Sequence, residues 1–477
     1  MQDAKKSSPK EKLFIVTSRT IDSEVFSSLW HPSHFQDAQS SVLLHPNCSA
    51  WIIINPTGRE IATDLFSGIA PDQIADRLSK SYGIPKETAQ ADTERMMREL
   101  SAAGLFPLSL SQSPAPRRDP CLKNLSLQLT NHCNLRCPHC WVDANRDKHQ
   151  ELPLHVVRLL VDQLIDAGGT GITLSGGEPL LHPDFSDILD HIGNRLTIRL
   201  LTNGTLIDSE WAQRFTKLDI YIQISMDGSC PQIHDSIRGT GAFDRSIRAI
   251  HLLQEFGLGD RLNLSTTIMD ANLQNLPNII LMAEDIGISL VRFLPLRQLG
   301  RAKRTWDGIA GNLSREAHEQ FYERISRQRK CIFPKTITEI SCGLSGFVLK
   351  VPETDGIWCP IGHKMEIMEN GDAYPCGLLI CPEFYMGNVF QKSLRELMAS
   401  PGMAAACRLL VERRTIGTCG ACTFRNLCQG GCMGLAMDHT GDVQNVDDFC
   451  QYRKSVYVRA FDELLVRSEE SEQGKPV

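Results

Sequence analysis

Three cysteines carry the first chemical signal. The strand-like run LSLQLT (125–130) leads into TNHCNLRCPHCWVD, which spaces Cys133, Cys137 and Cys140 as C-x3-C-x2-C. Soft thiolates suit iron–sulfur clusters, and a four-iron cluster takes four of them. Three close thiolates without a fourth leave one iron open to hold and reduce a ligand. A zinc knuckle, or plain structural cysteines, would fit the same spacing taken alone. The next strand-like run narrows the choice, because it ends in SGGEPLL. There Gly176 and Gly177 let backbone approach a ligand closely, and Glu178, before Pro179, can accept from an ammonium group.

A second set lies toward the C-terminus. Cys359, Gly371 and Cys376 form C-x11-G-x4-C; Cys419, Cys422, Cys428 and Cys432 form C-x2-C-x5-C-x3-C, and Cys450 follows. Standing alone, this segment reads as a pair of zinc ribbon-like sites. Behind the first motif, iron is favoured. Cys48, Cys121, Cys230, Cys331 and Cys407 fall outside both patterns and read as small buried hydrophobes.

Composition is consistent with metal-binding thiols. The chain has 17 cysteines in 477 residues and opens on MQDAKKSSPKEK, which lacks the apolar core of a signal peptide. Nothing points to secretion, so the thiols are expected in the reducing cytoplasm, where clustered cysteines are metal ligands or catalytic groups. No apolar run is long enough to span a bilayer, which argues against a membrane partner. The net charge of -6 gives no reason to expect nucleic acid.

The positioning elements follow from periodicity. Residues 13–108 read as a small α+β unit: short strands including Ser41–Leu44 and Trp51–Ile54, then helices near Gly58–Phe66, Pro71–Tyr82 and Lys86–Ala103. Residues 109–121 form a Pro- and Ser-rich linker. Over 122–330, six strand-like runs alternate with amphipathic stretches: 125–130, 171–176, 197–203, 219–226, 262–268 and 290–296. Such alternation implies an α/β fold with a parallel sheet and its site at the strands' C-terminal ends. Residues 341–455 are dense in Cys and Gly and would need metal to order them.

On the cluster motif, the SGGEP turn and their place in a βα repeat, residues 122–300 resemble the radical S-adenosylmethionine (SAM) superfamily. The resemblance implies a partial (β/α)6 TIM-type barrel, a 4Fe–4S cluster on Cys133, Cys137 and Cys140, and SAM on its open iron. It sets Gly176, Gly177, Glu178 and Pro179 against the methionyl amine of SAM. Thr202-Asn203-Gly204 and Ser225-Met226-Asp227-Gly228 match the third and fourth strand ends. Ser225 would help hold the carboxylate or ribose, with Arg238 a carboxylate partner; the bland alternative for Arg238 is a solvated surface charge. His139 stands where the family often has an aromatic that packs on adenine.

The C-terminal pattern resembles the SPASM domain of peptide- and protein-modifying radical SAM enzymes. That implies two auxiliary 4Fe–4S clusters: one on Cys419, Cys422, Cys428 and Cys450, the other on Cys359, Cys376 and Cys432. Cys342 is the candidate fourth ligand of the latter, Cys381 a weaker one, and an open iron the remaining option. The N-terminal unit could be a winged helix reading DNA, but Lys86–Ala103 carries acids as often as bases, a poor phosphate-facing surface. Its Asn before the first helix and its Gly-Leu ending resemble instead PqqD-like peptide-recognition domains, which add a leader peptide to a small sheet.

The three units together imply a maturase that cross-links, epimerises or oxidises a ribosomally made precursor peptide, fed by a donor such as flavodoxin or ferredoxin. A radical SAM enzyme acting on a folded protein, as sulfatase maturases do, or on a small molecule such as a tetrapyrrole is the alternative. A zinc-containing DNA-binding regulator is a lesser one.

Overall fold

The computed structural model of the chain describes residues 30–32, 41–44, 51–102, 119–144, 150–311, 337–340, 359–415 and 417–455, with 313, 317, 320, 321, 457 and 458 besides. Cys48, Cys331 and Cys342 lie outside the described residues.

The N-terminal unit has its own core. Strands β1 (Trp30–Pro32), β2 (Ser41–Leu44) and β3 (Trp51–Ile54) form an antiparallel sheet in that order. Helix α1 (Pro56–Phe66) starts where Asn55 Oδ1 accepts the Gly58 N–H at 2.7 Å, capping an otherwise orphaned donor, with Pro56 in the first turn. Helix α2 (Pro71–Tyr82) stops at Gly83, whose φ of 65° is left-handed; α3 (Lys86–Ala102) follows. Leu43, Ile52, Ile61, Phe66, Ile74 and Leu100 close the core between sheet and helices.

The six expected strands are present and parallel: β4 (Asn124–Gln128), β5 (Gly171–Ser175), β6 (Thr197–Thr202), β7 (Ile220–Ser225), β8 (Leu262–Ile268) and β9 (Leu290–Pro295). Helices α4 (Leu154–Asp166), α5 (Phe185–Ile192) and α6 (Ser209–Phe215) cross over between the first four. Two helices, α7 (Pro231–Arg238) and α8 (Ala242–Glu255), separate β7 from β8; α9 (Leu276–Asp285) precedes β9, and α10 (Ala302–Ala310) follows it. Strand side chains alternate. Leu125, Leu127, Ile222 and Ile224 pack in one core with the helix residues Ile188 and Leu253. Ser126, Gln128 and Gln223 fall on the other face.

The sheet is larger than six strands. On one side β10 (Ile337–Ile340) pairs parallel with β9. On the other, β11 (Lys364–Ile367) pairs parallel with β4, and the short β12 (Asp372–Tyr374) and β13 (Gly387–Asn388) continue antiparallel, ten strands in all. The cysteine-rich region therefore grows out of the barrel sheet. Ser126 Oγ and Gln128 Nε2 of β4 both donate to Glu366 of β11, at 3.0 and 2.6 Å. Short helices follow: α11 (Leu394–Met398), α12 (Pro401–Glu412), α13 (Gly417–Gly420), α14 (Arg425–Cys428) and α15 (Met433–Thr440). Leu397, Met403, Leu410 and Leu435 of this region share the barrel's core.

Candidate cluster and cofactor site

The chain leaving β4 is zipped onto the turn after β5. Gly177 N–H donates to Thr130 O at 2.6 Å and Glu178 N–H to His132 O at 2.8 Å. A Cβ on Gly176 would sit 2.3 Å from Thr130 O, and one on Gly177 2.1 Å from His132 O. Both glycines are thus required by the protein's own backbone, which they admit beside the loop that opens with Cys133. That loop is then tied by its amides, with Leu135 N–H 3.4 Å from Cys133 Sγ and Ala144 N–H 3.3 Å from Cys140 Sγ. Arg301, 9% exposed, clamps the far side: Nη1 donates to Cys137 O at 2.8 Å, Nη2 donates to Ala144 O, and its own N–H to Cys140 O at 2.8 Å.

The thiols of this loop are poised for a metal. Burial pushes the Cys133 thiol up to about 12, with Glu178, Cys137 and Cys140 adding to the effect. Deprotonated together, the three thiols would need a positive partner in their midst, which irons would supply. Among the described residues no cysteine is in a disulfide. Nor do any three Cys, His, Asp or Glu among them converge as a single ion would require.

Glu178 is fully buried and already partnered. Its Oε1 accepts from Thr202 Oγ1 at 2.7 Å and its Oε2 from Asn203 N–H at 2.9 Å. Burial raises its pKa to about 7 against these donors. Its carboxylate ties the end of β5 to the end of β6, where the sequence suggested a partner for an ammonium group. Asn203 extends the link, donating from Nδ2 to Asn134 Oδ1 at 3.0 Å in the cluster loop.

Arg238 is a buried ion-pair partner, not a solvated charge. Its Nε donates to Asp227 Oδ2 at 2.6 Å, with 10% and 0% of the two side chains exposed. Asp227 Oδ1 accepts Thr267 N–H at 2.9 Å, and the Asp227 N–H donates to His234 Nδ1 at 3.2 Å. Burial disfavours the Asp227 carboxylate, yet Arg238 and the two histidines hold its pKa below the usual range. His139 Nε2 lies 3.4 Å from Asp227 Oδ2, and burial pushes its pKa down to about 4, so the ring is neutral. His139 Nδ1 is buried and has no hydrogen-bond partner. Ser225, half-buried at the end of β7, stands beside Ser265 of β8.

The C-terminal cysteines fall into two sets. Cys419, Cys422, Cys428 and Cys450 line one cavity with Phe424, Arg453 and Tyr457. Burial raises the Cys419 thiol, and its three companions raise it further. Cys376 and Cys432 form the nucleus of the other set: burial raises Cys376, Lys364 opposes this, and Cys432 adds to it. Cys359, Cys376, Cys381 and Cys432 all pack against the main core. Cys381 donates its thiol to Glu383.

Sequence reasoning did not single out Arg301, Arg453 or Asp447. The pattern Asp-x2-Cys-x2-Arg around Cys450 was the available signal for the last two; Arg301 has none.

Comparison with known proteins matches the chain to three family models in the same order along the sequence. The model of the radical SAM superfamily matches residues 127–282, that of coenzyme PQQ synthesis protein D (PqqD) 40–105, and that of an iron–sulfur cluster-binding domain (SPASM) 359–423. A mycofactocin maturase of Mycobacterium tuberculosis is 28% identical, over 66% of this chain and 80% of that protein. An AdoMet-dependent heme synthase of Nitratidesulfovibrio vulgaris is 28% identical, over 70% and 93%. Streptococcus suis SuiB bound to its precursor peptide SuiA shares the fold: TM-score 0.56, 17% identity, 89% of this chain and 98% of that one.

Proposed function

Because this chain belongs to the radical SAM superfamily, with a PqqD-type domain ahead of the barrel and an SPASM domain behind it, we propose that it matures a ribosomally made precursor peptide. The order of the three units carries the reading: a peptide-recognition module precedes a site for radical chemistry, which precedes auxiliary clusters. The mycofactocin maturase and SuiB, with its precursor peptide, support it.

Cys133, Cys137 and Cys140 would hold the cluster, which together with SAM would supply the one-electron chemistry needed for hydrogen abstraction from carbon. The chain's own residues hold and screen these groups. Cys133, Cys137 and Cys140 are the cluster ligands, on a loop fixed by Gly176, Gly177 and Arg301. Gly176–Pro179, Asn203, Ser225, Asp227 and Arg238 frame SAM, with Glu178 and Asp227 acting as anchors for the strand ends and for the guanidinium. Cys419, Cys422, Cys428 and Cys450 hold one auxiliary cluster; Cys359, Cys376 and Cys432 hold the other, whose fourth position falls to Cys342, to Cys381 or to an open iron.

The leader peptide adds as a strand to the N-terminal sheet. Strand β2 is paired on both sides, so among the described strands addition falls on β1 or β3. The core residue is then cross-linked, epimerised or oxidised, with electrons from a flavodoxin or ferredoxin in the reducing cytoplasm. No described helix is long and apolar enough to cross a membrane.

The likeness to a heme synthase favours a small-molecule substrate as the second reading. Anaerobic iron, sulfide and zinc analysis beside Cys133→Ala/Cys137→Ala/Cys140→Ala tests the shared chemistry. Loss of one cluster's iron and of all 5′-deoxyadenosine supports it; zinc without sulfide overturns it.

A further inference from the structure

One buried guanidinium near the C-terminal cysteines has no role in the function described so far. Arg453 and Asp447 have 1% and 0% of their side chains exposed. Arg453 Nη2 donates to Asp447 Oδ1 at 2.6 Å, and its Nε donates to Cys428 Sγ at 3.2 Å. Asp447 also reaches the other cysteine set, because its Oδ2 accepts the Cys432 N–H at 2.8 Å. Its Oδ1 accepts the Phe449 N–H at 3.0 Å. The fit is close enough to exclude a side chain at Gly431, whose Cβ would fall 2.2 Å from Arg453 Nη2 and 2.4 Å from Asp447 Oδ2.

The charge balance at this point is positive. A second guanidinium, Arg413, is fully buried nearby and donates to Gly431 O at 3.2 Å and Asn445 O at 2.7 Å. Among the described residues, Asp447 is the carboxylate that acts on both arginines, directly on Arg453 and through space on Arg413. A buried, incompletely neutralised cation is costly unless something else compensates it. The four thiols that share the cavity with Arg453 would do so once they hold a cluster. Cations at the other two sites, Arg238 near Cys137 and Lys364 near Cys376, act through space. Arg453 reaches a sulfur directly.

An N–H donor and a positive charge at a ligand sulfur stabilise the reduced, more negative state of a cluster, which raises its reduction potential. We propose that Arg453 is a positioning residue that raises the potential of the cluster on Cys419, Cys422, Cys428 and Cys450, and that Asp447 fixes it there while touching the neighbouring set through Cys432. The inference rests on the ligand assignment proposed above.

The test uses the full-length chain carrying Cys133→Ala/Cys137→Ala/Cys140→Ala, so that auxiliary clusters alone give the signal. Iron is counted and midpoint potentials are read by EPR-monitored redox titration. Arg453→Gln is expected to keep its iron and lower one of the two auxiliary potentials. Arg453→Lys, which keeps the charge, should stay near the parent value, and Asp447→Asn should shift the same signal upward. Opposite shifts for opposite charges are not the mark of a packing defect. The proposal is overturned if Arg453→Gln leaves both potentials unchanged. It is overturned equally if Gln and Lys shift alike or both lose the cluster, or if Asp447→Asn moves with Arg453→Gln. Should Arg453→Gln alone lose iron, Asp447→Asn decides: an upward shift, with Arg453→Lys near the parent value, supports the proposal, and a downward or absent shift overturns it. Cys428→Ala separates the underlying assignment: if it keeps all its iron, the ligand set is wrong.

Discussion

Arg238 Nε lies 2.6 Å from Asp227 Oδ2, and this sealed pair is close enough to Cys137 for both charges to act on its thiol. Breaking a buried pair leaves one charge uncompensated, at a cost of about 3–5 kcal/mol. Asp227→Ala should therefore destabilise the barrel by roughly that amount, while an apolar double replacement, Asp227→Leu/Arg238→Met, should recover much of it. Anaerobic guanidinium unfolding of the full chain measures both. Equal losses in the single and double variants would show that the pair itself is not what matters.

Gly177→Ala forces a methyl group into His132 O, 2.1 Å from its ideal Cβ. The segment entering Cys133 must then move. The expected outcome is loss of about one cluster's iron with the C-terminal clusters retained. A Gly177→Ala protein with full iron and normal SAM cleavage would contradict the packing given for this turn.

Arg301→Ala leaves the carbonyls of Cys137 and Ala144 without their guanidinium donor. Each buried acceptor left unmade costs about 1–3 kcal/mol, so the loop should loosen and release iron to a chelator faster than the parent does. Chelation kinetics followed by the loss of cluster absorbance read this directly.

The N-terminal unit offers a pH test away from any metal. Asp64 of α1, 5% exposed, pairs with Arg77 of α2. Burial raises its pKa above 3.8 despite Arg77, and Glu60 adds to the rise. An acid raised on folding favours the folded state when protonated. That stability is present below the unfolded value and is lost as pH rises through the folded one. Protection of amides in residues 56–82 from hydrogen exchange, corrected for intrinsic rates, should fall over this window and fall less in Asp64→Asn.

Local pattern made the barrel legible. Leu125, Leu127, Ile222 and Ile224 alternate with polar residues, so the strands could be read to within two residues. The Asn55 cap and Gly83 stop did the same for α1 and α2. What stayed hidden depends on distant partners. Parallel pairing of Lys364–Ile367 with β4 joins residues some 240 apart, and nothing in that short run names its neighbour. Glu178 illustrates the same limit. Its sequence context suggested a ligand contact, but Thr202 and Asn203 complete its hydrogen bonds only once β5 and β6 lie side by side. The short helices around Cys419–Cys432 carry too few turns for a periodic signal.

The most direct measurement incubates the reconstituted full-length protein with SAM, a reductant and a precursor peptide encoded beside its gene, then weighs the peptide. The expected result is a mass change in the core segment that vanishes in Cys133→Ala/Cys137→Ala/Cys140→Ala. Deletion of residues 1–118 should abolish it too, while slow 5′-deoxyadenosine formation continues. Peptide left unaltered beside steady SAM cleavage, with its affinity indifferent to that deletion, would contradict the maturase reading and turn attention to a small-molecule substrate.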